Sequence, residues 1–386
     1  MFLRAASLAW RAGSGYPPGL MSAGGPLRVV VIMAGGGGTR LWPASTTTRP
    51  KQLMHLSARP PYTLLAAAVE RARRIAPLQR IYVVTSVALA PAVHAAVPEL
   101  LSVNVIPEPR PRSTAPCVAL AMLHLREDLR RQGWPEEQVR AATVVVLPAD
   151  HHIGDIDAFT GLIEVAAEHA EEHGGIVTLG VQPRRPSTGF GYIERGPEPL
   201  ARRGSAFVYP ALRFVEKPDA ARAQIFVEAG SYLWNAGIFV MPLARIISEL
   251  ERHATALWAD LAPVERALAN AEDAWAATVT AYDQITPEAI DVAVMEKQRD
   301  LCVVPMCVPW TDLGSWDALH EALPRDEHGN VVVAPKTART ELVDTANSLV
   351  WSEGLDVTLL GMSGVAVVVS GGRVLVCPLD RAEEVR

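Results

Sequence analysis

The sequence predicts an α/β fold: a mostly parallel sheet with helices on both faces, followed by a small all-β domain. Three observations lead there. From Arg28 onward short β-branched runs alternate with helix-length stretches, four glycines follow directly on the first strand, and after Gly329 the helical pattern gives way to brief strands punctuated by glycine. Strands separated by helices of that length join most simply as parallel neighbours buried on both faces.

Taken in order, residues 1–27 stand apart. They carry Arg4 and Arg11 without an acid, and Gly13 and Gly15 interrupt their apolar stretch, so they make a poor secretory signal. A disordered tail, or an extension ahead of a start at Met21, is the expectation. Residues 28–325 read as one large domain. Its strand candidates are Val29–Met33, Ile81–Thr85, Val103–Ile106, Thr143–Leu147 and Ile176–Leu179, with helices near 63–75, 116–131 and 158–173 between them. Hairpin-like pieces follow at Gly189–Glu194, Phe207–Val215 and Leu233–Met241, then Ala-rich helical sequence from 242 to 281 and a strand at Leu301–Val308. Residues 326–386 form the all-β domain, with strands at Val331–Val333, Ser348–Trp351, Val357–Leu360, Val365–Val369 and Val374–Cys377 separated by turn signals such as Gly371-Gly372.

Hydrophobic residues make up 49% of the chain, enough for a large core and against disorder as the main state. The formal charge of −6 hides an asymmetry: the first acid is Glu70, so Arg28, Arg40, Arg49 and Lys51 stand uncompensated near the front. That suggests a local anion site, while the overall balance argues against nucleic acid or an acidic membrane as partner. No apolar run approaches the roughly 18 residues that cross a bilayer. Cys117, Cys302, Cys307 and Cys377 lie in apolar surroundings without a CxxC pair, and read as buried free thiols in a reducing cytoplasm.

The strongest chemical signal is Ala34-Gly35-Gly36-Gly37-Gly38-Thr39-Arg40-Leu41-Trp42-Pro43, continuing to Arg49-Pro50-Lys51-Gln52. Glycines bring backbone N–H groups against an anion without Cβ obstruction, and Arg40 and Lys51 add charge. A dinucleotide fingerprint would need glycine at Arg40 or Leu41, and a Walker A loop would need Gly-Lys-Ser/Thr at its end; neither is present. Leu147-Pro148-Ala149-Asp150 ends an apolar strand with a carboxylate where α/β sheets bind ligands, and Asp312 follows another strand. Taken alone, Asp150 reads equally as a turn or capping residue and Asp312 as a helix cap.

These segments together resemble the sugar-phosphate nucleotidyltransferases. The Leu-Trp-Pro and Pro-Lys-Gln forms resemble the mannose-1-phosphate guanylyltransferase branch of that family. The resemblance runs over roughly residues 28–386 and implies a Rossmann-like nucleotidyltransferase fold with a β-helix-like C-terminal domain. It implies that Gly35, Gly36, Gly37, Gly38 and Thr39 supply backbone donors to the triphosphate, that Arg40 and Lys51 neutralise it, and that Asp150 and Asp312 hold Mg²⁺. Thr46 stands where the family usually has arginine, with Arg49 three residues on.

Further pieces occur in family order. Thr188-Gly189-Phe190-Gly191-Tyr192-Ile193-Glu194, Phe214-Val215-Glu216-Lys217-Pro218 and Trp234-Asn235-Ala236-Gly237 resemble its acceptor segments, implying that Gly191, Glu194, Glu216 and Asn235 contact the sugar and Lys217 its phosphate. Glu108-Pro109 and Arg112-Ser113-Thr114-Ala115-Pro116 resemble its base-reading segment, implying nucleotide contacts from Glu108, Ser113 and Thr114. Ile290-Asp291-Val292-Ala293-Val294-Met295-Glu296-Lys297 resembles a further motif, in which Glu296 and Lys297 either finish the pocket or form a helix-surface ion pair.

Lysine usage points the same way without the family. Lys51, Lys217 and Lys297 fall in these motifs and only Lys336 does not, in a chain where arginine is otherwise the default cation. His169 and His173 have zincin spacing, but Ala170 stands where the catalytic Glu is required; His173 reads as a partner of the helix C-terminus.

The resulting expectation is a cytoplasmic, Mg²⁺-dependent enzyme that transfers GMP from GTP to α-D-mannose 1-phosphate, without isomerase activity and as a homodimer through the β domain. Two alternatives stay open: a uridylyl- or thymidylyltransferase acting on glucose 1-phosphate, and a catalytically silent nucleotide-sugar sensor.

Overall fold

In the computed structural model the described residues are 25–36, 39–55 and 63–385. The expected N-terminal extension therefore lies outside them up to residue 24. Residues 25–27 do not: Leu27 is buried and its carbonyl accepts from the Thr143 N–H at 2.8 Å, just ahead of the first strand.

The β-branched run Arg28–Met33 is β1, and the alternation that follows is regular. Helix α1 (Leu64–Ala72), β2 (Ile81–Ser86), α2 (Ala90–Ala96), β3 (Val105–Glu108), α3 (Thr114–Arg131), α4 (Glu136–Ala141) and β4 (Thr143–Pro148) lead to the short β5 (His152–Ile153) and α5 (Ile156–His173). Asp155 caps α5 by accepting from the Ala158 N–H at 2.9 Å, and Gly174 closes it at φ +69°, a left-handed turn that favours glycine. Next come β6 (Val177–Val181), β7 (Tyr192–Arg195), β8 (Ala201–Arg203), β9 (Ala206–Val215), α6 (Ala220–Ala229) and β10 (Tyr232–Pro242). Helices α7 (Leu243–His253), α8 (Thr255–Ala269), α9 (Trp275–Gln284) and α10 (Ile290–Ala293) precede β11 (Cys302–Met306), β12 (Trp310–Thr311) and α11 (Trp316–Ala322).

The main sheet runs β3-β2-β1-β4-β10-β6-β11-β9-β7, with β8 on β9. Strands β1 to β4 are parallel, as are β6 and β11; β9 and β10 run against the rest. Alternation along β1 sorts the core into two layers. Val29 and Val31 face α3, α7 and α8, while Val30 and Ile32 face α1, α2 and α5. Helices thus cover both faces, as the uninterrupted apolar strands require.

The C-terminal strands β13 (Val331–Val333), β14 (Thr340–Val343), β15 (Leu349–Ser352), β16 (Val357–Leu360) and β17 (Val365–Ser370) wind as a coil, and β18 (Arg373–Pro378) folds back antiparallel on β17. Leu349 pairs with Val331, Ala366 with Leu349, and Val357 with Thr340, all parallel. β14, with its polar Thr340 and Glu341, is the strand that apolar periodicity misses. A third core joins this coil to the large domain: Leu41, Ala44, Met54, Leu313 and Trp316 pack with Leu349, Trp351, Ala366 and Val368. Of the cysteines, Cys117 and Cys302 are buried as expected; Cys307 is exposed, because it follows the last residue of β11 where the chain leaves the sheet. Among the described residues no helix is long and apolar enough to cross a membrane.

Candidate active site

Lys51 is the organising charge. Its position follows from Pro50, which opens the single 3₁₀ turn Lys51–Leu53. The ammonium lies 2.9 Å from Asp150 Oδ2 and donates to the Asp312 carbonyl, so the end of β4 and the turn after β12 converge on it. Burial pushes the Asp150 carboxyl up, but Lys51 and, to a lesser degree, His151 more than offset this and hold it below the usual range. Leu313 sits at φ +48° and Gly314 leaves the Asp312 carboxylate room: a Cβ there would stand 3.0 Å from Oδ2. Left-handed non-glycine residues are uncommon, yet Ser113, Lys217 and Leu313 all adopt that conformation inside expected site segments.

Asp150 meets Lys51 through its carboxylate and Asp312 through its backbone carbonyl, so oxygen donors from two strands stand around one ammonium. Beside them His151 stays neutral, since burial pushes the imidazole down to about 4; Trp310 Nε1 donates to its Nδ1 at 3.2 Å and its Nε2 lies 4.0 Å from Asp150 Oδ1. Carboxylates such as those of Asp150 and Asp312 are the donor type that suits a hard divalent cation.

Above this pair runs the glycine loop. Gln52, buried, donates to the carbonyls of Ala34 at 2.9 Å and Gly36 at 3.1 Å and so fixes the loop's entry. Gly37 and Gly38 lie outside the described residues. Arg40 is exposed and, among the described residues, makes no hydrogen bond or ion pair. Arg49 differs from its expected neighbourhood with the phosphates. Its guanidinium donates to the Ala44 carbonyl at 2.7 Å and pairs with Glu353 in the β domain.

Beneath Gly35 lies Glu108, 3% exposed; a Cβ on Gly35 would meet its Oε2 at 2.9 Å. Burial pushes this carboxyl up to about 7, against the Tyr282 hydroxyl that donates to Oε1 at 3.0 Å. Ser113 immediately precedes α3, and the hydroxyl of its first residue, Thr114, accepts from the Ile290 N–H at 2.9 Å, tying the start of α3 to α10.

A second cluster forms where β7, β9 and β10 meet. A Cβ on Gly191 would stand 2.7 Å from Glu216 Oε2, and Lys217 Nζ lies 2.7 Å from Glu216 Oε1. Asn235 Nδ2 donates to Asp291 at 2.7 Å, while its Oδ1 accepts from the Gly237 N–H at 3.0 Å. Burial first and the Glu216 carboxylate second push Asp291 up to about 6. Gly191, Glu216, Lys217 and Asn235 thus come together as expected. Glu194 does not join them: it lies three residues along the chain from Gly191, roughly 10 Å in a strand, and its carboxylate accepts from the Tyr232 hydroxyl at 2.8 Å. Glu296 accepts from the Glu216 N–H at 2.7 Å, whereas Lys297 donates to the His253 carbonyl at the end of α7, so the two do not pair with each other. Sequence reasoning assigned no role to Asp291 or Gln52, although both stand in the motifs quoted above.

The chain matches the family described as nucleotidyl transferase over residues 29–329 and the MannoseP isomerase/GMP-like beta-helix domain over residues 339–386. It is 34% identical over 359 residues to the mannose-1-phosphate guanylyltransferase of Klebsiella pneumoniae, covering 92% of this chain and 72% of that protein. It is 35% identical over 363 residues to the protein of the same description from Sinorhizobium fredii, covering 93% and 67%. The crystal structure of mannose-1-phosphate geranyltransferase from Thermus thermophilus is similar at a TM-score of 0.75 and 34% identity, covering 93% of this chain and 97% of that one.

Proposed function

The chain belongs to the nucleotidyl transferase family, and from that premise we propose that it transfers GMP from GTP to α-D-mannose 1-phosphate, giving GDP-mannose and pyrophosphate. The observation that carries the reading is Lys51 held between Asp150 and Asp312 at the mouth of the glycine loop, in a chain that aligns over 92% of its length with a guanylyltransferase.

A phosphate oxygen of mannose 1-phosphate attacks the α-phosphorus of GTP. The bond from that phosphorus to the bridging oxygen breaks, and pyrophosphate leaves with the electron pair. No protein nucleophile is needed, so the residues act by positioning and by neutralising charge. Arg40, exposed and uncommitted, and Lys51 hold the triphosphate, with backbone N–H groups of the glycine loop against it. Lys217 meets the acceptor phosphate. Glu216 accepts from sugar hydroxyls and Asn235 donates its remaining Nδ2–H to the ring, Asp291 bracing the Asn235 amide from behind; Glu194 contributes at the rim. Glu108, with Ser113 and Thr114, faces the guanine edge, whose N1–H and N2–H are donors. Asp150 and Asp312 would hold Mg²⁺, which when bound supplies further neutralisation of the phosphates.

We place the enzyme in the cytoplasm, a reading its free cysteines support, and as a homodimer through the β domain, whose β18 exposes Val374 and Val376. Pyrophosphate release over a grid of GTP, UTP, dTTP and ATP against mannose 1-phosphate and glucose 1-phosphate tests the reaction. Release from GTP with mannose 1-phosphate is expected to dominate. Preference for UTP or dTTP with glucose 1-phosphate would overturn the base and sugar assignment, and silence across the grid would overturn catalysis.

A further inference from the structure

Arg49 lies two residues before Lys51, and its contacts set it apart from the other early cations. Its guanidinium donates twice to the Ala44 carbonyl, at 2.7 and 3.2 Å, reaches Ser370 Oγ at 3.3 Å and pairs with Glu353 Oε1. Ser370 Oγ in turn donates to Glu353 Oε2 at 2.6 Å, and the Glu353 N–H donates to the Val369 carbonyl at 3.1 Å. The fork of Arg49 is therefore engaged by the β domain. Its own backbone closes the turn that leads to Lys51, through Arg49 N–H to the Thr46 carbonyl at 3.1 Å and Thr46 N–H to the Arg49 carbonyl at 2.9 Å. The same stretch is anchored by packing, since Leu41, Ala44 and Met54 share a core with Leu349, Trp351 and Val368. Trp316 Nε1 adds a bond to the Trp42 carbonyl at 3.1 Å.

We propose that Glu353 and Ser370 of the β domain are positioning residues for the triphosphate loop, acting through Arg49, and that Arg49 itself is not a phosphate ligand. The knot, in which one Glu353 oxygen meets Arg49 and the other meets Ser370, fixes the turn whose next residues are Pro50 and Lys51, so it fixes where the Lys51 ammonium stands. Charge-assisted bonds of this kind are directional, and a displacement of about 1 Å at a charge-neutralising group is costly to the reaction. The acceptor cluster at Gly191, Glu216 and Asn235 contributes nothing to the knot, so the effect is confined to the nucleotide side.

The inference rests on the guanylyltransferase reading, and the two fail differently: absence of GTP-dependent turnover in the unmodified enzyme sinks that reading, whereas the knot is judged from variants. In full-length Glu353→Gln, the KM for GTP is expected to rise roughly tenfold, on the scale of one lost charge-assisted bond. The KM for mannose 1-phosphate stays within about twofold and the melting temperature stays close to that of the unmodified enzyme. Exchanging the charges, Arg49→Glu with Glu353→Arg, recovers most of the GTP affinity that Arg49→Glu alone loses. Unchanged GTP affinity in Glu353→Gln, an equal rise in both KM values accompanied by a lowered melting temperature, or an exchange variant no better than Arg49→Glu would each overturn the proposal.

Discussion

Lys51 and Asp150 are each other's nearest opposite charge, and in the proposed reaction both would face the charge that builds up during phosphoryl transfer. Lys51→Ala or Asp150→Asn is expected to lower turnover by at least about a hundredfold, the scale of losing one preorganised electrostatic group. Near-normal rates in either purified variant would remove that residue from the chemistry. Glu108 supplies a stability test. Its carboxyl is pushed up to about 7 from an ordinary 4.5, so between those pH values the folded chain binds more protons than the unfolded one. Stability on this account falls as pH rises through that window, by up to about 3 kcal/mol. Glu108→Gln should therefore raise the melting temperature at pH 8 and flatten its pH dependence between pH 5 and 7; an unaltered slope would assign the pH dependence elsewhere. Lys51 was conspicuous in the sequence as a lysine among arginines, whereas Asp150 and Asp312, which taken alone read as turn or capping residues, were singled out through the family resemblance. Asp291 and Gln52 were not, since each matters only through what folding sets beside it: Asn235 for the first, the carbonyls of Ala34 and Gly36 for the second.

At the level of elements, Gly35, Gly191 and Gly314 mark where backbone approaches a carboxylate. Gly191→Ala would drive a methyl group to 2.7 Å from Glu216 Oε2 and 3.4 Å from Asn235 Cβ. The expected outcome is a several-fold rise in the KM for mannose 1-phosphate with the KM for GTP nearly unchanged, read by steady-state kinetics with each substrate varied in turn. Equal effects on both would mean that the loop serves the two substrates jointly. Apolar periodicity places most strands and helices from β1 to β6 within a residue or two, because each βαβ unit carries its own pattern. The insertion of β10 between β4 and β6 is not legible in that way. It depends on pairing across the chain and on a bulge at Asn235, where Gly237 takes φ +64°.

On the scale of the whole molecule, the change of pattern near residue 326 reads as a domain boundary, yet the packing ignores it. A chain ended after residue 325 would strip Leu41, Met54, Leu313 and Trp316 of the side chains that cover them. We expect that fragment to be insoluble or loosely packed, while the full chain melts in a single calorimetric transition. A soluble, cooperatively folded and active fragment would show that the shared core is dispensable. The sequence could not announce this core, because its members lie hundreds of positions apart and none is unusual by itself. That separation has a temporal side. Arg49 and Glu353 are 304 residues apart, so at about 5–20 residues per second a ribosome takes roughly 15 to 60 s to deliver the second after the first. For that interval the turn that carries Lys51 stands on a nascent chain without the Glu353 partner that braces it.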